Sequence, residues 1–364
     1  MRLILSSVSL CALAAAAAAQ GEVALDPIVV ETAARDARPL LETPAAVTVV
    51  GREEIERRQA TDFQDLIGDA PGVSIGGGPR GIAQEPNIRG FQDEQVVLRF
   101  DGGRLNFNQA HRGRFFVDPD IVERVEVVRG GGSTLYGSGA LGGVIAIDTR
   151  DARDLLAPGE SFGGRLRVGY ATNGAVASTS ATAYGATETV DALGFLGWRP
   201  QFDDFADGGG DDIRDSEIDV LNGLAKLGWN AGESHRFELS GSWYEDEGTT
   251  PPNANAAASA TNVVDREGRV ATARAGWDYA PAGSDWLDVS TLLYFNDYRI
   301  EEDRDFDGRT DETLYRTFGA EIVNRSRFDA GLPVTLVYGV EGYRDAQEGR
   351  RDGAARGEFP DASV

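Results

Sequence analysis

The chain has 364 residues, a formal net charge of −24, two histidines and one cysteine, with a pI near 4.5 and a mean hydropathy of −0.29. Such acidity argues against nucleic acid as a partner, because phosphate binding needs a basic face. No continuous apolar stretch of the ~20 residues needed by a spanning helix follows the leader; a transmembrane β-barrel stays open, because lipid-facing and lumen-facing residues alternate and average out.

Arg2 precedes an apolar stretch that runs from Leu3 into alanines and ends in Ala17-Ala18-Ala19-Gln20. Residues 1–19 therefore read as a cleaved secretory signal. Cys11 lies inside it, after a bulky Leu10 that disfavours lipoprotein cleavage, so the mature chain is expected to carry no cysteine, no disulfide framework and no Cys metal site. Residues 20–42 form a linker holding Asp26-Pro27-Ile28-Val29-Val30-Glu31-Thr32. A short β-branched run flanked by polar residues can pair main chain to main chain with a partner's strand edge.

Residues 43–150 read as a small α+β unit. A short strand is expected over 44–50, and helix over 51–55 and again over 59–67, with Ile55, Phe63, Leu66 and Ile67 at helical spacing and a stop at Pro71-Gly72. A further short helix is expected at Asp118-Pro119, where proline suits the first turn. Gly72-Val73-Ser74-Ile75-Gly76 fits the pattern of a hydrolase nucleophile, but a helix stop precedes it and Gly77-Gly78-Pro79 follows. No helix can start after Ser74, so an enzyme is not expected.

After Gly159 the pattern turns to period two, which suits lipid on one face and water on the other. Phe237, Leu239, Gly241 and Trp243 alternate with Arg236, Glu238, Ser240 and Ser242; Leu287, Val289, Thr291, Leu293 and Phe295 behave alike. Short turns are expected at 231–234, 281–284 and 329–332, and long polar connections at 203–216, 248–267 and 301–311. That alternation is the signature of short periplasmic turns and long extracellular loops. About nine strands are expected between Gly163 and Tyr343, against about 22 in barrels of the plugged transporter kind. Residues 346–364 read as the start of another long loop, so residues 151–364 are expected to be the N-terminal part of a transmembrane antiparallel β-barrel. Asp303, Asp305 and Asp307 with Gly308 resemble the opening of a calcium loop, although Leu314 stands where the bidentate glutamate belongs.

One run carries a resemblance. Asn87-Ile88-Arg89-Gly90-Phe91 leads through Val96-Val97-Leu98, a lone histidine, Phe116-Val117-Asp118-Pro119 and 123–130 (Glu-Arg-Val-Glu-Val-Val-Arg-Gly) to a glycine-dense close over 136–145. It resembles the plug domain of TonB-dependent outer-membrane receptors, with departures at Gly131, where the family usually has proline, and at Gly103, where it usually has an aliphatic residue. The resemblance implies an α+β plug followed by a β-barrel in the bacterial outer membrane, and implies that residues 26–32 engage TonB. The loop Phe107-Asn108-Gln109-Ala110-His111-Arg112-Gly113-Arg114-Phe115-Phe116 is similar to that of haem and haemoglobin receptors, as is the plug-to-barrel junction 151–159.

On that resemblance the expected cargo is haem, free or from haemoglobin, with His111 as one axial ligand of its iron. Imidazole suits haem iron. Arg112 and Arg114 are expected partners for the propionates, and Phe107, Phe115 and Phe116 offer apolar surface to the porphyrin. His235 is expected on the periplasmic side, away from cargo. Two alternatives remain: a ferric-siderophore receptor of the same fold, which needs no protein histidine, and a haemoglobin-binding surface protein without transport.

Overall fold

The computed structural model describes residues 28–109, 113–253, 256–358 and 362–363. The signal segment with Cys11 lies outside these, as do Asp26, Pro27, His111 and Arg112.

The N-terminal segment forms a two-residue ladder, β1 (Val29–Val30) with β2 (Arg38–Pro39). The plug follows with β3 (Ala46–Gly51), a helix over Arg52–Arg58 and a second over Phe63–Ile67. Acidic Glu53 and Glu54 open the first helix, Arg57 and Arg58 close it, and Gln59 ends it at a left-handed φ of 54°. Asp62 caps the second by accepting the Asp65 N–H at 2.9 Å. Ile55, Phe63, Leu66 and Ile67 are all buried, as their spacing implies.

The hairpin β4 (Val73–Gly76) and β5 (Glu85–Ile88) comes next, then β6 (Val96–Phe100), β7 (Gly103–Arg104), β8 (Val122–Arg129) and β9 (Gly143–Thr149). With β3 the last four make a five-stranded sheet ordered β3-β8-β9-β6-β7. Leu98, Val125, Val127, Ile145 and Ile147 bury its inner face in the same core as the two helices. The helix expected at Asp118-Pro119 is one 3-10 turn over Pro119–Ile121, with Asp118 accepting the Asp120 N–H at 2.8 Å.

The barrel wall consists of β10 (Phe162–Ala171), β11 (Val176–Ala186), β12 (Val190–Arg199), a small hairpin of β13 (Phe205–Ala206) with β14 (Asp212–Ile213), β15 (Asp219–Asn230), β16 (His235–Thr250), β17 (Val264–Tyr279), β18 (Val289–Arg304), β19 (Arg309–Asp329), β20 (Pro333–Arg351) and β21 (Ala354–Glu358). Apart from the β13–β14 hairpin these strands pair antiparallel, each with the next, in one sheet that does not close on itself among the described residues. The alternation does what a barrel requires. On β10, Leu166, Val168 and Tyr170 are exposed, whereas Arg165 and Arg167 reach inward to Glu56 at 2.8 Å and Asp120 at 3.0 Å on the plug.

Three expected loops are corrected. Residues 301–311 are mostly strand, since β18 runs to Arg304 and β19 starts at Arg309. Residues 346–358 complete β20 and form β21 rather than opening a long loop. The connection expected over 248–267 shrinks to 251–263. Charge density misleads here because the acidic residues stand on strands and pair across them: Glu312 with Arg299 at 2.8 Å, and Asp311 with Arg351 at 2.8 Å. The same hairpin disposes of the calcium loop, because a tight turn at 305–308 cannot wrap a cation as a twelve-residue loop does. Asp303 accepts the Thr310 hydroxyl at 2.5 Å and Asp307 lies 3.5 Å from Arg304. Among the described residues no group of three or more His, Cys, Asp or Glu side chains is placed to hold a metal.

Candidate functional site

The histidine-bearing loop leaves the plug after β7 and returns at Gly113. Its described ends are pinned on both sides. Gly113 donates its N–H to Ile82 O at 2.5 Å and Arg114 to Gln84 O at 3.3 Å. On the other flank the Gln109 amide donates to the Thr313 hydroxyl of β19 at 3.2 Å, and Asn108 to Glu94 at 2.5 Å. A Cβ on Gly113 would lie 2.7 Å from Ile82 O, which explains a glycine where the 3-10 turn over Gly81–Ala83 lies so close. Thr313 stands near the 305–308 turn, so the loop's ends sit at the end of the wall that carries the connections 200–218 and 251–263.

Four of the residues expected to meet cargo are used up inside the protein. The Arg114 guanidinium, 3% exposed, donates to Phe107 O at 3.2 Å, to Val96 O at 3.1 Å and to Asp93 O. Burial lowers its pKa from the usual arginine value, opposed by Glu85 and Glu94. It is a strut that ties its own loop, through the Phe107 carbonyl, to the chain at Asp93 and Val96, not a free propionate partner. Phe107 stacks on Tyr298 of the wall at 4.8 Å and meets Tyr315 edge-on at 5.7 Å. Phe115 stacks on Phe63 at 4.2 Å, and Phe116 meets Phe107 and Tyr244 edge-on. These rings seat the loop in the core. His111 and Arg112, between the pinned ends, lie outside the described residues.

Glu85 stands beside this strut with its pKa pushed up to about 7, first by burial and then by the neighbouring Asp93 carboxyl. Gln84, which sequence reasoning did not single out, is 1% exposed. Its Oε1 accepts the Phe63 and Gln64 N–H groups at 2.9 and 3.1 Å and its amide donates to Asp62 at 2.6 Å. Asp62 was readable as a helix cap; Gln84 has no local signal, because its partners lie twenty residues upstream. A cavity of about 430 Å³ opens between plug residues 77–80 and residues 212–214 and 256–258 of the two long connections. Arg80 fixes its floor by donating to Arg214 O at 2.6 Å and Asp215 O at 3.0 Å.

Asp118 and Asp120 bolt the plug to the wall. Asp118 receives Arg199 at 2.9 Å and Asn222 at 2.9 Å. Asp120 receives Arg167 at 3.0 Å, Arg52 at 3.2 Å and the Ser180 hydroxyl.

The segment expected to engage an energy partner lies at the opposite end. Ile28 and Val29 are exposed while Val30 and Thr32 are buried. Arg325 of β19 donates to Glu31 at 3.0 Å and to Arg35 O at 2.6 Å. Glu321 receives Arg35 at 2.7 Å, and Arg327 binds Asp36 at 2.7 Å. Arg325 and Arg327 lie in the last turn-ward stretch of β19, close to the short connection 330–332, with Glu321 further along the same strand. His235 starts β16 beside the short turn 231–234, and its Nδ1 accepts the Trp277 indole N–H at 3.2 Å.

A plug sheet seated inside an antiparallel wall by buried ion pairs defines a plugged outer-membrane β-barrel receptor, and residues 39–144 match the family model TonB-dependent Receptor Plug Domain. The chain belongs to the TonB-dependent receptors, which reside in the bacterial outer membrane. It is 32% identical over 342 residues to the hemin receptor of Yersinia enterocolitica, covering 92% of this chain and 48% of that protein. It is 30% identical to the heme/hemopexin utilization protein C of Haemophilus influenzae, covering 81% and 46%. Among solved structures it is similar to the Serratia marcescens hemophore receptor HasR, in complex with its hemophore HasA and heme, with a TM-score of 0.76, 29% identity, and coverage of 85% of this chain and 46% of that one. It also matches the FrpB iron transporter of Neisseria meningitidis, with a TM-score of 0.73, 25% identity, and coverage of 84% and 48%. The chain thus spans about half the length of the curated relatives it matches.

Proposed function

We propose that this chain is the plug and first wall segment of a receptor that takes up haem iron across the outer membrane, with His111 as one axial ligand and TonB engaged by residues 26–32. The observation that carries the reading is the separation of two features to opposite ends of the plug. The pinned loop ends face the long connections, and the N-terminal segment faces the short ones. The relatives named hemin receptor and heme/hemopexin utilization protein C support haem as the cargo class.

With Arg114, Phe107 and Phe115 committed to the core, the contact with cargo falls to His111 and Arg112. A neutral imidazole coordinates iron through one nitrogen while the other donates elsewhere. Arg112 offers a planar fork to a propionate. On the other side, exposed Ile28 and Val29 offer main chain and β-branched side chains for strand addition.

His111→Ala in the full-length receptor tests the reading. Growth on haem or haemoglobin as sole iron source should fall and the visible spectrum of bound haem should change, with surface expression intact. Unchanged growth and spectrum, with a ferric siderophore transported instead, would assign the receptor to that cargo. Haemoglobin bound at the surface without haem entry would make it a binding protein only.

A further inference from the structure

Glu126 lies inside β8, the strand between β3 and β9 in the plug sheet, and is fully buried at 0% exposure. Its carboxylate accepts the Glu31 N–H at 3.1 and 3.2 Å and the Thr32 N–H at 2.8 Å. Arg124 approaches at 3.4 Å, but that guanidinium is closer to Asp148, at 3.0 Å. A charge in the interior of the plug is therefore compensated largely by main-chain donors of a segment outside the sheet. Tyr136, between β8 and β9, adds a clasp by donating its hydroxyl to Thr32 O at 2.7 Å.

The same segment borders a groove. A cavity of about 710 Å³ separates the plug sheet from the wall, and Glu31, Thr32 and Arg35 line it together with Arg124, Tyr136 and Asp148. Removing the segment both widens this groove and strips two main-chain donors from Glu126. A buried carboxylate that loses its hydrogen bonds is strongly unfavourable. Water entering from the groove relieves it, at the cost of the packing between β8 and its neighbours.

We propose that Glu126 makes the order of the plug sheet conditional on the N-terminal segment, so that drawing residues 28–36 away loosens β3, β8 and β9 along the groove. The inference rests on the function proposed above only for what draws the segment away. The loosening itself follows from the Glu126 contacts. The carboxylate acts as a stabilising element while the segment is docked and as a destabilising one when it is not. A pull on the exposed residues Ile28 and Val29 would then weaken the sheet before any force reached it directly.

Amide hydrogen exchange in the full-length receptor, without cargo or partner, is the test. Deleting residues 28–32 should speed exchange in β3, β8 and β9 by about tenfold or more. In an E126Q or E126M background the same deletion should change it by less than about twofold, because no buried charge is left stranded. Thr32→Pro, which removes one donor and keeps Glu126, should move exchange in the same direction as the deletion. Equal acceleration with and without Glu126, or none in the otherwise native receptor, overturns the proposal. Cargo uptake and partner binding do not enter the readout, so failure of the functional reading would leave this result standing.

Discussion

Phe107 of the plug lies almost flat on Tyr298 of the wall, ring centroids 4.8 Å apart and planes 12° from parallel. Phe107, four residues before His111, is thus a seat for the plug, and its loss should act on seating before it acts on cargo. Phe107→Ala should destabilise the plug by about 3–5 kcal/mol, as large-to-small core changes do, and Phe107→Leu by clearly less. Protease protection of the plug inside the folded barrel measures this. A Phe107→Ala receptor with a normally seated plug and weakened haem binding would restore the ring to the cargo site.

Arg114 gives a sharper contrast between scaffold and cargo roles. Arg114→Gln leaves the Phe107 and Val96 carbonyls short of donors in the core, an expected cost of about 1–3 kcal/mol per unsatisfied group. Thermal unfolding should shift while the spectrum of bound haem stays that of the native receptor. Arg112→Gln should do the reverse.

Gly113→Ala places a methyl 2.7 Å from Ile82 O, and the loop has to lift. The expected outcome is a receptor of near-normal stability whose haem affinity falls about tenfold, because the segment proposed to carry the axial histidine loses its anchor at Gly113. Titration of haem into purified protein decides it, and unchanged affinity would show that the loop is not held by this contact.

Glu85 sets a pH dependence. Its folded pKa, about 7, lies above the 4.5 of an ordinary glutamate, so the folded protein binds more protons than the unfolded chain between those values. The stabilising contribution is full below about 4.5 and is lost as pH rises through about 7. Glu85→Gln should therefore raise plug stability at pH 8, by on the order of 1 kcal/mol once partial exposure is discounted, and have little effect at pH 5. Unfolding curves at the two pH values check the sign.

Much of the architecture was legible because it is periodic. Ile55, Phe63, Leu66 and Ile67 announce a helical face, and alternation at Phe237, Leu239, Gly241 and Trp243 announces a wall strand. Composition failed where charge and secondary structure part company: residues 301–311 are as acidic as a loop and are mostly strand, since their charges find partners across the sheet. The candidate site was half legible. The loop was visible from its histidine and its Asp-Pro close, but the fates of Phe107, Arg114 and Phe115 depend on Tyr298, Val96 and Phe63. No local pattern names a partner so far away in sequence. Glu126 is the extreme case, a charged residue in an apolar strand whose acceptor role depends on main chain ninety-four residues upstream.

The wall strands lengthen along the sheet, from 10 residues in β10 and β12 to 21 in β19. A tilted strand needs roughly 9–11 residues to cross a bilayer, so the first staves end near the lipid headgroups and the later ones stand well clear of them. The described rim is a slanted lip, like that of a jug. Whatever enters such a mouth meets a tall wall on one side, at β19, and a low one on the other, at β10 to β12.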